Sequence, residues 1–103
     1  MKKLRQQADL ARLYGIAADI QRLPFNRDNM TQGSADQALK KLYVHKTTVS
    51  RLRSIPQIKL VSEAIDGYIE GIKAFKDGDY EMAENLIYYA VKKVNAFNGR
   101  WET

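Results

Sequence analysis

The sequence predicts an all-α domain, a compact bundle of four to five helices that closes on a C-terminal antiparallel helical hairpin. Three observations carry this expectation. Apolar residues recur at steps of three and four in long stretches of the chain. No stretch alternates apolar and polar residues as a half-buried strand does. Loop-forming residues cluster between the periodic stretches, at 24–33, 77–79 and 98–99. At 103 residues the chain supports a single domain, 1–103. With 45% apolar residues its core is real but small, so stability is modest or shared with a partner subunit.

Residues 2–23 read as an amphipathic helix, with Leu10, Leu13, Tyr14, Ala17 and Ile20 on one face. Ala11, Gly15 and Ala18 form a second, small-residue strip where another helix is expected to come close. Gly15 costs about 1 kcal/mol against Ala in mid-helix, which also points to a packing role. Pro24 ends the segment, and residues 24–33 form a long loop. Ser34 reads as an N-cap, with Gln37 as its capping-box partner. A short helix follows from Ala35 to Tyr43. The run Val44-His45-Lys46-Thr47-Thr48-Val49 is β-branched at four of six positions, which favours a break before a further helix over Thr47–Ser54. The competing reading is one unbroken helix from 35 to 54. It would turn Ala38, Leu42, His45, Val49 and Leu52 inward together, at steps of four, three, four and three.

Pro56 suits the first turn of the next helix. There Ile58, Val61, Ile65, Tyr68, Ile72 and Phe75 give the clearest period in the chain. Asp77-Gly78-Asp79 reads as a turn with Asp79 as the next cap. The last helix runs from Tyr80 to Phe97, with Ala83, Leu86, Ile87, Ala90, Val94 and Phe97 on one face, and Asn98-Gly99 stops it.

Charge divides the chain. Residues 1–60 hold twelve basic and four acidic side chains, a net of +8, and residues 61–103 hold five and eight, a net of −3. The basic half suggests contact with a polyanion, and the acidic half a different task.

The basic half also carries a resemblance. Residues 35–53 resemble the helix-turn-helix of phage and plasmid DNA-binding regulators. Val44 would leave the turn, Val49 would anchor the second helix and Leu52 would close it. Lys46, Thr47, Thr48, Ser50 and Arg51 would then face the major groove, where Arg and Lys pair with guanine edges and Ser and Thr contact bases or phosphates. Arg22, Arg27, Lys40, Lys41 and Arg53 would hold phosphates. The Ile55-Pro56 pair is similar to one in the lambdoid phage activators of lysogeny, and Val49-Ser50-Arg51-Leu52 to a run in partition-type centromere-binding proteins. The chain departs from the pattern at Leu39, where the family has a small residue, and at Tyr43, where it has glycine.

Residues 65–97 resemble one tetratricopeptide-type hairpin through Gly71, the Gly78-Asp79-Tyr80 turn, Ala83 and Ala90, with Tyr80 packing back across the turn. Departures are Gly67, in place of a large aromatic, and Asn95, in place of proline. A single such hairpin must bury its faces on the N-terminal helices or on another subunit. Tyr68, Tyr88, Tyr89 and Trp101 are the aromatic candidates for an interface. A homodimer would supply two DNA readers, as a two-fold operator requires.

Other chemistries are excluded or weakly signalled. Without cysteine there is no disulfide framework, thiolate zinc site or cysteine nucleophile. One histidine, His45, cannot make a His-rich metal site. Ile87-Tyr88-Tyr89-Ala90 resembles helical HEPN ribonucleases, but no Arg and His pair follows to do their chemistry. Asp77, Asp79 and Glu81 alternate as in a calcium loop, yet Tyr88 stands where its twelfth-position Glu belongs. No catalytic constellation, cofactor or metal is expected, and no membrane span or signal-peptide core is seen. The sequence therefore predicts a cytoplasmic, dimeric DNA-binding transcriptional regulator of phage type that contacts double-stranded DNA. The alternative is a non-enzymatic module, such as a small adaptor or a phage-encoded inhibitor, that binds another protein through the C-terminal hairpin.

Overall fold

Periodicity becomes four helices: α1 (Lys2–Gln21), α2 (Gln32–Ser50), α3 (Ile58–Lys76) and α4 (Tyr80–Phe97). The computed structural model describes residues 2–22, 31–52 and 56–99, with α1 side chains from Gln7 onward. The expected all-α bundle with a C-terminal hairpin is what the chain forms. α3 is its central helix and packs on the other three, most extensively on α4. The α3 row Val61, Ile65, Tyr68 and Ile72 is buried, and Ile58 and Phe75 are packed against the same core. Leu13, Ile16, Ala17 and Ile20 of α1 and Ala35, Ala38, Leu42 and Val49 of α2 complete it, together with Ala90, Val94 and Phe97 of α4.

α2 departs from the two-helix reading. It runs unbroken from Gln32 to Ser50, through the segment where the helix-turn-helix needs its bend. Two physical terms favour continuity. Ala38, Leu42, Val49 and Leu52 are all buried, so a bend would pull part of that row off the core. The β-branched run also satisfies itself inside a helix. Thr47 and Thr48 donate their hydroxyls to the carbonyls of Tyr43 and Val44, each at 3.1 Å, the back-bonding that lets threonine sit in a helix at small cost. The helix tightens only at its end, where the Arg51 and Leu52 amides reach Thr48 and Val49 at 3.1 and 3.0 Å.

Its start also differs. The N-cap is Thr31, whose hydroxyl accepts from the Ser34 amide at 3.1 Å while the Ser34 hydroxyl accepts from the Thr31 amide at 2.8 Å. This reciprocal box uses Ser34 as the third helical residue rather than as the cap. Gln32 and Gly33 are thus helical. Pro56 sits just outside α3, its carbonyl accepting from the Lys59 amide at 3.2 Å.

The α3–α4 hairpin turns at Gly78, whose φ of +85° suits glycine. The Asp79 carboxylate caps α4 by accepting from the Met82 amide at 3.1 Å. The Tyr80 ring packs back on Phe75 with centroids 5.4 Å apart. The two helices approach closely at Gly67 and Gly71. A Cβ at Gly67 would lie 3.0 Å from the Ala90 Cβ, and one at Gly71 would lie 2.7 Å from Cγ1 of Ile87. The small-residue strip of α1 does not play that part. Ala11, Gly15 and Ala18 are exposed, and nothing lies within 4 Å of a Cβ built on Gly15.

Tyr68 belongs to the core, 1% exposed, and is not available at a surface. It stands in the same three-and-four row as Val61, Ile65 and Ile72, and the row decides its direction. Burial pushes its phenol from 10.0 up to about 12, because the phenolate would lose hydration. Below pH 10 the group is neutral in both folded and unfolded chains and stability is unaffected. Between pH 10 and about 12 only the unfolded chain releases the proton, so stability falls by about 1.4 kcal/mol per pH unit from this group. Urea midpoints measured from pH 9 to 12 will show that slope, and Tyr68→Phe will flatten it. An equal slope in both proteins would contradict the burial.

Candidate functional site

α2 presents the first candidate surface. Gln37, Lys40, Val44, Thr47 and Arg51 follow the three-and-four spacing of one helix face, opposite the buried row, and all are exposed. Lys41 is exposed beside them, with Thr48 half-buried. Lys40, Lys41 and Arg51, together with Arg22 in the turn after α1, form no ion pair among the described residues. The rest of the expected DNA-reading set is committed elsewhere. Lys46 points toward α3 and pairs with Asp66 at 3.0 Å. Ser50 donates to the Thr47 carbonyl at 2.7 Å, and the hydroxyls of Thr47 and Thr48 bond to their own helix. Arg27 and Arg53 lie outside the described residues. One straight helix therefore spreads the reading residues over its circumference, where a short recognition helix would gather them.

Several of the charges tie helices together instead. His45, half-buried, meets Asp19 of α1 through Nε2 at 2.7 Å. It is thus the boundary histidine that an unbroken helix implies. Lys76 of α3 pairs with Asp36 of α2. Lys93 of α4 pairs with Glu63 of α3 at 3.3 Å, and that contact holds the Lys93 ammonium above its usual 10.5. Lys73 is raised too, first by the Tyr43 hydroxyl, and its ammonium stands 5.9 Å from the Tyr43 ring. These contacts lie at or near the surface, where solvent screens the charges, so they orient the helices more than they stabilise them.

α4 presents the second surface. It lies on α3, touches α1 where Tyr14 meets Phe97 with ring centroids 4.8 Å apart, and does not meet α2 among the described residues. Its outer side is therefore open. Met82 is 54% exposed, Tyr88 58% and Tyr89 45%, while Val91, 38% exposed, lies on the flank opposite Met82. Met82, Leu86 and Tyr89 step by four and three beside the core row, with Asn85 among them. With Asp79 and Glu81 they line a groove of about 580 Å³. Tyr89 is braced from below, since a Cβ on Gly67 would lie 3.3 Å from its ring. Lys93 stands 5.2 Å from the same ring and Lys92 4.6 Å from that of Tyr88.

Two of the four expected interface aromatics, Tyr88 and Tyr89, thus share this helix. Tyr68 is beneath it in the core, and Trp101 lies outside the described residues. Met82 and Asn85 escaped the sequence reading, and Leu86, expected on the core face, is half-buried at its edge. Their signal was a second row at four-and-three spacing, offset from the core row of the same helix. Among the described residues no group of three His, Asp or Glu side chains is placed to hold a metal ion, and no helix is long and apolar enough to cross a membrane. No family model, curated protein or solved structure matches the chain.

Proposed function

We propose that the chain is a non-enzymatic protein-interaction module and that the outer side of α4 is its working surface. One observation carries this reading: Met82 and Tyr89 stay exposed seven residues apart along one flank of α4 and line a single groove with half-buried Leu86, with Tyr88 exposed beside Tyr89. Single exposed apolar residues are ordinary, but a group of them on one helix marks a contact surface. Tyrosine suits such a surface because it buries a large ring while keeping its hydroxyl hydrated. The test is a photo-crosslinking amino acid placed at Met82, with Thr47 on α2 as the comparison, in cells expressing the chain. Protein adducts from position 82 and none from 47 are expected. Adducts from 47 alone would overturn the reading.

A second reading is a polyanion contact, favoured by the unpaired Lys40, Lys41 and Arg51 on the outer face of α2. It does not require the bend, because released counterions drive such binding whatever the local backbone. Random duplex DNA titrated at about 50 and 200 mM salt tests it. Binding at the lower salt should weaken about tenfold or more at the higher. Arg51→Ala should weaken it, and Lys46→Ala, whose charge is held by Asp66, should not. Absence of binding at the lower salt would remove this reading.

A further inference from the structure

The open side of α4 has a direction, and that direction selects an occupant. On that side the acid Glu81 stands in the first turn and the base Lys92, eleven residues on and on the same flank, stands near the end. Asp79 adds a carboxylate at the acidic end. Between the ends run the apolar Met82, Leu86 and Tyr89, over about 11 Å of helix, with the groove beside them. A ligand lying along this face must be basic where α4 begins, acidic where it ends and apolar between. α4 itself, reversed, has that pattern.

We propose that α4 docks antiparallel on α4 of a second copy, related by a two-fold axis near Leu86. Glu81 then approaches Lys92 of the other copy, and the reverse contact repeats on the far side of the axis. A parallel arrangement would set acid against acid and base against base, which costs specificity and affinity. Met82 of each copy meets the Tyr89 region of the other and fills the groove. Asn85 sits within the seam, where its amide can both donate and accept across the axis. A polar residue at such a position fixes register at some expense of stability. The contact is one helix wide, so it lies at the small end of specific interfaces and should assemble at micromolar concentrations.

This inference rests on α4 being the working surface, and the experiment separates the two. Sedimentation of the full chain from about 1 to 200 μM should show a species of twice 11.8 kDa at the upper end. Met82→Glu should leave it monomeric with an unchanged helical circular dichroism spectrum, since Met82 is exposed and outside the core. Glu81→Lys and Lys92→Glu should each weaken association by about tenfold. Combining the two should restore it, because the charges are exchanged and complementarity returns. A wild-type monomer at 200 μM would overturn the proposal, as would a dimer indifferent to Met82→Glu. Failure of the double variant to recover would overturn the antiparallel pairing. If the chain is monomeric but position 82 crosslinks to a different protein, self-pairing fails and α4 remains the working surface. If position 82 crosslinks to nothing, both fail.

Discussion

Val44→Pro should destabilise the protein by about 3 kcal/mol or more. Val44 is 63% exposed, so the substitution removes almost no packing and its cost falls on the backbone. Proline at this point removes an amide that bonds within the helix, and its ring meets the carbonyl one turn back. It also disfavours the helical conformation of Tyr43 before it. Domains of this size hold roughly 5–15 kcal/mol in all, so the loss would be a large share and visible in a urea melt. The same substitution in a helix-turn-helix would fall at the turn, where proline is tolerated far better. A change under about 1 kcal/mol would therefore speak for a bend between Tyr43 and Thr47.

Gly71→Ala should also destabilise, against the propensity scale, which ranks alanine about 1 kcal/mol above glycine in mid-helix. The new Cβ would stand 2.7 Å from Cγ1 of Ile87 and 3.3 Å from the Ala83 carbonyl oxygen. Neither atom is the free end of a flexible chain, so α3 and α4 must move apart. Overpacking of this kind costs about 1–3 kcal/mol. Gly15→Ala supplies the contrast. It lies in mid-helix, exposed, with nothing within 4 Å, so it should stabilise by about 0.5–1 kcal/mol. Opposite signs for one chemical change at two helical glycines would locate the tight contact in the hairpin. A gain at both sites would mean that α3 and α4 are further apart than described.

Much of this fold is legible in the residues because burial follows period. The row from Val61 to Ile72 and the pair Leu13 and Ile20 are read directly from steps of three and four, and Gly78 and Asp79 from turn chemistry. The bend in α2 was not decidable in the same way. The β-branched run at 44–49 lowers helix propensity locally, while Leu42, Val49 and Leu52 reward continuity through contacts with other helices. Tertiary burial outweighs a weak local preference, and the threonine back-bonds that soften the preference depend on the helix already being there. Tyr68 failed as an interface residue for a related reason. Aromatic character suggests a contact, but its place in the buried row decides which contact. The open side of α4 was half legible. Tyr88 and Tyr89 were found as aromatics, whereas Met82, Asn85 and Leu86 matter only once α4 is known to pack on one side of α3 and to leave its flank uncovered.

Whether the chain carries a base-reading helix turns on the backbone of α2, because a bend there would gather the reading residues and a straight run disperses them. Amide hydrogen exchange of residues 43–50, followed by NMR, reads that backbone residue by residue. An unbroken α2 predicts slow exchange continuous from Tyr43 through Val49, with protection comparable to that of Lys40–Leu42. Fast exchange confined to Val44–Thr47, flanked by protected segments, would contradict it and restore the helix-turn-helix reading of residues 35–53.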